Sequence, residues 1–81
     1  MGIEYMIKVR LPENYDPTNF LNMLPSPIDK NRRGEIYNYK IESDGFYFID
    51  HLVNNEVASI AFRAFINEAL LHSDTVEVLE P

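Results

Sequence analysis

The chain has no cysteine, no tryptophan and only three glycines among its 81 residues. The absence of cysteine excludes a disulfide scaffold and any zinc or iron–sulfur site held by thiolates. Three glycines are too few for a glycine-rich loop that cradles phosphates. No serine stands in the G-x-S-x-G context of a hydrolase nucleophile. These absences remove several common classes of enzyme and metalloprotein.

Basic residues are also scarce, with seven Lys and Arg against thirteen Asp and Glu, which gives a formal net charge of −6. A protein of this sign repels polyanions over most of its surface, so we expect no nucleic acid and no anionic membrane as a partner. No apolar run is long enough to span a bilayer, and no secretory h-region follows Met1. We therefore expect a cytoplasmic protein whose partner is another protein, above all a basic one, or a second copy of the chain.

Apolar and aromatic residues are plentiful enough for one hydrophobic core. The chain is 46% hydrophobic and contains five tyrosines and five phenylalanines. A chain of this length forms a single domain, because a second core would have too few residues. We therefore predict one α+β domain over residues 1–81.

The first third of the chain predicts one strand and one short helix. Apolar and polar residues alternate over residues 3–11, a period of two that is typical of a half-buried strand. Asp16 and Pro17 then predict a helix start, with Asp16 as the N-cap and Pro17 in the first helical position. Pro25 and Pro27 follow closely, so we expect this helix to be short.

Residues 35–51 predict a β-hairpin. Two β-rich runs flank Asp44-Gly45, a pair preferred in two-residue type I′ turns. A turn there predicts that Ile41 lies opposite Phe48. The apolar face of the hairpin is expected to point at the core, and it carries Tyr37, Tyr39, Ile41, Phe46 and Phe48.

A long helix is predicted from Asn55 to His72, with Asn54 as its N-cap, and a last strand over residues 75–79. The apolar arc of this helix is wider than the roughly 100° stripe that a one-sided surface helix needs. We predict that the excess, Phe62, Ile66 and Leu70, forms a partner-binding surface. The alternative is that the fold itself covers all three side chains.

The predicted order of elements is β-α-β-β-α-β. With right-handed crossovers it gives a ferredoxin-like sandwich, in which a four-stranded antiparallel sheet of order 4-1-3-2 carries two helices on one face. Many unrelated functions share this architecture, so function has to be inferred from individual sites.

The segment Gly45-Phe46-Tyr47-Phe48-Ile49 resembles the RNP1 motif of RNA-recognition-motif domains. The resemblance implies that Phe46 and Phe48 would stack on RNA bases. The predicted hairpin instead points both rings at the core, and Asp44 stands where that family has Lys or Arg. RNA binding is therefore the least favoured of the functions weighed below.

Two further groups of residues are candidates for ligand binding. Lys30, Arg32 and Arg33 lie close together in a polar loop, and arginine forks bind carboxylates or phosphate, so this loop is a candidate anion site. The alternative is a solvated loop that balances nearby acids. Glu68 and His72 stand one helical turn apart and could ligate a metal together with a third residue. A histidine in a last helical turn is also favourable without metal, and we predict neither a metal nor a cofactor.

The leading functional hypothesis is a small acidic, non-enzymatic protein-interaction module, that is, an adaptor, an inhibitor, an antidote-type protein or a subunit, with homodimerisation as one form of it. It follows from the charge, the apolar excess and the missing catalytic constellation. The alternatives are a ligand-binding regulatory domain that pairs in dimers and an enzyme with a pocket between subunits. Such an enzyme would use Tyr47, Asp50 or His51 as acid or base.

Overall fold

The computed structural model describes residues 2–29 and 34–81, with the exception of the side chain of Asp29. The elements in chain order are β1 (Ile3–Lys8), α1 (Thr18–Asn22), β2 (Ile28–Asp29), β3 (Gly34–Glu35), β4 (Tyr37–Glu42), β5 (Gly45–Asp50), α2 (Asn55–Leu70) and β6 (Glu77–Leu79). One sheet has the order β4-β5-β1-β6 with antiparallel neighbours throughout, and β2 and β3 form a separate two-stranded sheet.

The predicted α+β class, with a four-stranded antiparallel sheet and two helices, is confirmed. The element order differs from β-α-β-β-α-β, because the two-residue strands β2 and β3 lie between α1 and β4. When all six strands are numbered along the chain, the order in the main sheet is β4-β5-β1-β6. The sequence predicted only four strands, and in that numbering the expected order was 4-1-3-2.

The register of the β4–β5 hairpin differs from the prediction by two residues. Ile41 lies opposite Phe46 and Tyr39 lies opposite Phe48. A slip of one residue would turn every side chain to the other face, whereas a slip of two keeps each on its predicted face. The four side chains therefore still belong to the side of the sheet that the helices cover.

The turn itself explains this difference. Glu42 pairs with Gly45, so the turn residues are Ser43 and Asp44. A type I′ turn on Asp44-Gly45 needs a positive φ at both residues, but Leu52 is the only non-glycine residue with a positive φ in the described ranges. Gly45 has a φ of 144° and begins β5. Gly45 is therefore needed for its positive φ, but it is the first residue of the strand after the turn and not part of the turn.

The core is a cluster of aromatic rings on one side of the sheet. Phe65 of α2 lies 4.9 Å from the ring of Phe20 in α1 and 5.3 Å from that of Phe46 in β5. Phe20 also lies 6.1 Å from Phe46, so both helices pack on the same face. The fully or nearly fully buried members of the core are Ile7, Val9, Ile36, Tyr37, Phe46, Phe48, Ala58, Ala61, Phe65 and Ala69.

Helix α1 begins one residue later than predicted. Pro17 is its N-cap residue, and the Asp16 carboxylate accepts hydrogen bonds from the backbone N–H and the hydroxyl of Thr18. The loop after α1 is fixed to the sheet, because the Tyr37 hydroxyl donates a 2.5 Å hydrogen bond to the Pro25 carbonyl. Burial raises the pKa of Tyr37 above its usual value, with a smaller contribution from the neighbouring Tyr39.

Helix α2 has the predicted N-cap. The Asn54 side chain accepts a 3.1 Å hydrogen bond from the backbone N–H of Val57, which satisfies one of the unpaired donors of the first turn. The helix ends at Leu70, two residues before the predicted end. No helix within the described ranges is both long enough and apolar enough to cross a membrane.

The last strand is shorter than predicted and lies at one edge of the sheet. It pairs with β1, so that Val78 stands opposite Ile7 on the side that the helices cover. Val78 nevertheless stays exposed, because β6 is the outermost strand. Val76, which precedes the strand, packs against the core.

Candidate functional site

A groove of about 560 Å³ runs between α1 and the outer side of α2. We refer to it as the helix groove. Its lining comes from the loop before α1, from α1 itself and from the C-terminal half of α2. Phe20 and Ala64 belong to this lining, and Phe20 also reaches the core beneath it. The groove therefore lies where Phe20 of α1 packs against Phe65 of α2.

Two large apolar side chains line the helix groove from the ends of two different helices. Met23 follows the last residue of α1, Leu71 follows the last residue of α2, and both line the groove. Met23 is 83% exposed and Leu71 is 78% exposed, the highest values among the large hydrophobic residues described. Neither contributes to the core. A side chain that covered both would gain apolar contact that the single chain does not provide.

The polar part of the groove is a cluster around Tyr15. Its hydroxyl donates a 2.5 Å hydrogen bond to the Glu68 carboxylate, and the ring of His72 packs edge-on at 5.0 Å between centroids. Burial, followed by the hydrogen bond to Glu68, raises the pKa of Tyr15 well above its usual value. The tyrosine is therefore a neutral donor near pH 7, and it is not suited to act as a base.

The charge of the groove is negative. Asp16 and Glu68 both line it, and among residues 2–29 and 34–81 no Lys or Arg belongs to its lining. The hydrogen bond from the Thr18 side chain lowers the pKa of Asp16, so this carboxylate is ionised at neutral pH. Two carboxylates beside exposed apolar side chains attract a surface that is both basic and apolar.

The candidate metal pair Glu68 and His72, for which no metal was predicted, lines the groove, but no third ligand described lies with it. Among residues 2–29 and 34–81, no three His, Cys, Asp or Glu side chains are grouped so that they could hold a metal ion. Glu68 instead accepts the hydrogen bond from Tyr15. This pair therefore has a structural role in the wall of the groove.

The predicted partner-binding residues lie on α2 but do not line the helix groove. The Phe62 ring lies 4.7 Å from that of Tyr5 and 5.4 Å from that of Phe48, and Ile66 also packs against the core. Leu70 remains 48% exposed. The fold thus covers much of this surface itself, and its role in partner binding stays a prediction.

The predicted anion site at Lys30, Arg32 and Arg33 lies outside the described residues. It stays a prediction from the sequence.

The residues suggested for a catalytic site do not converge within one chain. The Tyr47 hydroxyl donates to the Glu4 carboxylate, and this hydrogen bond raises the pKa of Tyr47. The His51 Nε2 atom lies 2.6 Å from the Asn38 Oδ1 atom. The Asp50 carboxylate accepts a hydrogen bond from the backbone two residues further on. Each side chain is engaged with a different neighbour, so the chain alone provides no acid–base pair from them.

The base-stacking role implied by the RNP1 resemblance is not available. Phe46 and Phe48 are fully or nearly fully buried and pack against Phe65 of the helix layer. A ring in the core cannot stack on a base from solvent. The prediction that these rings face the helices is therefore correct.

Sequence reasoning missed Met23 and Leu71. Both lie at helix ends. The prolines after Met23 and the expected length of the second helix predict where each helix stops, but they do not predict that these side chains are exposed. The available signal was a large apolar residue at each end. The two residues can be assigned to one surface only when the structure shows that both helix ends lie beside the same groove.

Comparison with known proteins found no matching family model, no matching curated protein and no matching solved structure. The function is therefore inferred from the geometry and charge of the chain itself.

Proposed function

We propose that the chain is a non-enzymatic protein-interaction module that binds a basic, amphipathic segment of a partner protein in the helix groove. The observation that carries this proposal is that Met23 and Leu71, the two most exposed large apolar side chains described, line one groove, each from the end of a different helix. Isolated apolar residues are normal on a protein surface, whereas two that flank a common depression are typical of a docking site.

The apolar contact supplies the affinity in this proposal. Fully burying a Met or Leu side chain contributes about 1.5–3 kcal/mol before the entropy of association is subtracted. Two such residues, together with Phe20 and Ala64 of the same lining, can hold one face of a partner helix or loop. Apolar side chains spaced along one helix face are the usual anchors in a groove of this kind.

The charge supplies the selectivity. Asp16 and Glu68 lie beside the apolar residues, and the whole chain carries a net charge of −6. A basic segment is attracted to this surface and an acidic one is repelled, so the partner is expected to carry Lys or Arg next to its apolar anchors.

We also propose that the architecture is the ferredoxin-like sandwich predicted from the sequence. The antiparallel pairing of all strand neighbours and the packing of both helices on one face support it. An experimental structure tests it through the handedness of the β1-α1-β4 and β5-α2-β6 connections. A left-handed crossover in either would contradict the proposal.

Photo-crosslinking from inside the groove tests the function. A photoreactive residue at Asn19, which lines the groove, should crosslink to a partner in cells of the source organism. Mass spectrometry identifies the crosslinked segment, which is then synthesised and titrated against the purified chain. We expect a basic, amphipathic peptide whose dissociation constant rises about tenfold or more in the variant Met23→Ser/Leu71→Ser.

The matched control is Ile60→Ser, because Ile60 is 54% exposed on the same helix but does not line the groove. It should leave the affinity unchanged, and Leu70→Ser gives the same comparison for the surface predicted from the sequence. An acidic crosslinked segment, or one that binds wild type and Met23→Ser/Leu71→Ser equally well, would contradict the proposal.

A further inference from the structure

The outer edge of β4 carries backbone groups that no described residue pairs with. His51 donates its backbone N–H to the Ile36 carbonyl at 3.1 Å, which continues the β4–β5 register. Antiparallel strands alternate the direction of these groups from one residue to the next. Asn38, Lys40 and Glu42 therefore turn their backbone groups to β5, whereas Tyr39 and Ile41 turn theirs away from the sheet. Such an edge is a template for another strand.

Two opposite charges flank Ile41 on this edge. Lys40 and Glu42 are both exposed, and they belong to the face of the sheet opposite the helices. Neither forms an ion pair within the part of the chain that the structure describes. If the same strand of a second copy ran antiparallel beside this one, the positive side chain of each strand could lie opposite the negative side chain of the other.

We propose that a second copy of this chain pairs with the β4 edge, so that two sheets join into one of eight strands about a two-fold axis at Ile41. Ile41 then lies opposite Ile41 of the second copy as a hydrogen-bonded pair. Lys40 lies opposite Glu42 of the second copy, and the symmetry repeats this pair. These residues are in the non-hydrogen-bonded positions, where opposing Cα atoms are only about 4.5 Å apart and side chains contact directly.

The charges select this register over its neighbours. A two-fold axis at Lys40 would place the two Lys40 side chains opposite each other, and like charges in such positions are destabilising. An axis at Tyr39 would place Lys40 opposite Asn38 and leave Glu42 beyond the paired strands. The axis at Ile41 alone forms two pairs of opposite charge.

The helix side of the same edge also favours pairing. Ile41 is half-buried and Tyr39 is 36% exposed, although both side chains belong to the core face. A depression of about 280 Å³, lined in part by Leu11 and Pro12, lies beside Ile41. It leaves room for Ile41 of the second copy, so pairing would extend the apolar layer across the joint.

Charge exchange tests the proposal. Sedimentation velocity measures the dimer of the full chain in about 0.15 M salt, where screening beyond about 8 Å limits the repulsion between two acidic copies. Lys40→Glu and Glu42→Lys each place like charges opposite each other, so each variant alone should dimerise about tenfold more weakly. An equimolar mixture of the two variants restores two pairs of opposite charge, and its dimer should be about as stable as that of the wild type.

Arg63→Glu is the control, because it changes the net charge as Lys40→Glu does. Arg63 is an exposed residue of α2 and does not belong to β4. Circular dichroism verifies that every variant is folded. A wild-type chain that stays monomeric at millimolar concentration would overturn the proposal. A mixture of Lys40→Glu and Glu42→Lys that dimerises no better than each alone would overturn it too. Met23→Ser/Leu71→Ser should leave the dimer unchanged, so this result is independent of the helix groove.

Discussion

The Tyr15 hydroxyl and the Glu68 carboxylate are joined by a 2.5 Å hydrogen bond across 53 positions of the sequence. Tyr15 lies in the loop before α1 and Glu68 lies in the last turns of α2. The bond therefore fixes the polar wall of the helix groove, and the lining residue Phe20 is held by its contact with the buried ring of Phe65. It also keeps the tyrosine neutral, since burial and the adjacent carboxylate both raise the pKa of Tyr15.

Stability should fall at alkaline pH because of this tyrosine. The pKa of Tyr15 is raised on folding from an ordinary value of 10.0. Above about pH 10 the unfolded chain loses this proton while the folded chain keeps it, so the free energy of unfolding decreases as the pH rises. Below that pH the contribution is fully present. We expect Tyr15→Phe to be less stable than the wild type at pH 8 but to lose less stability between pH 9 and 11.

Urea denaturation at a series of pH values measures this difference. Tyr37 has a raised pKa as well and remains in the variant, so the pH dependence should become shallower without disappearing. Glu68→Gln should also reduce the alkaline slope, because it removes the charge that opposes ionisation of Tyr15. Parallel curves for wild type and Tyr15→Phe would show that folding does not raise the pKa of Tyr15.

Among the glycines described, Gly45 is the one at which an added methyl group should destabilise the sheet most. Its φ of 144° is a conformation that other residues rarely adopt, and an added Cβ would lie 1.9 Å from the backbone oxygen of Ile7. We expect Gly45→Ala to lower the free energy of unfolding by about 2 kcal/mol or more. Gly34→Ala is the control, since its Cβ would meet only Val53 side-chain atoms at 3.9 Å. Equal midpoints of urea denaturation for the two variants would contradict this account.

The sequence predicted the main helices and strands and the face of the sheet on which each side chain lies, but it did not predict the exact position of the hairpin turn. The alternation around Tyr39 and Phe48 placed both on the helix side, and that placement tolerates a register error of two residues. The turn could not be placed, because Asp44-Gly45 fits a type I′ turn as well as it fits a glycine that enters the next strand. The choice depends on the close approach of β1 to Gly45, which is a long-range contact that local sequence does not encode.

The helix groove could not be predicted from the sequence, and the reason is geometric. Phe62 and Leu70 lie on one predicted helix stripe, yet Phe62 packs against Tyr5 whereas Leu70 stays 48% exposed. Met23 and Leu71 lie 48 positions apart in the sequence, and no periodicity links them. Only the packing of α1 on α2 brings them to the same groove.

The hairpin should be sensitive to acid through Asp44. The Lys8 ammonium lies 3.0 Å from its carboxylate, and this hydrogen bond lowers the pKa of Asp44 below its ordinary value of 3.8. The stabilising effect is present above that ordinary value and is lost as the pH falls through the lowered pKa. Asp44→Asn should therefore flatten the acid limb of the stability curve, with a small effect at pH 7 because both side chains are largely exposed. Chemical denaturation between pH 2 and 7 measures it, and Asp74→Asn provides a control with the same change of charge.

Phe65 should be the least replaceable ring of the core. It contacts rings from both layers, with centroid distances of 4.9 Å to Phe20, 5.3 Å to Phe46 and 5.4 Å to Tyr39. Removing a buried phenylalanine costs about 3–5 kcal/mol, because transfer free energy is lost and a cavity remains. A domain of this size has only about 5–15 kcal/mol in total, so Phe65→Ala should be largely unfolded at 37 °C.

Near-ultraviolet circular dichroism and thermal melts distinguish this outcome from a local repacking. Phe65→Leu keeps most of the volume and should stay folded with a lowered melting temperature. Ile60→Ala, on the exposed side of the same helix, should melt close to the wild type. Since Phe65 contacts rings of both α1 and β5, a folded Phe65→Ala with wild-type aromatic dichroism would mean that the two helices do not share one core.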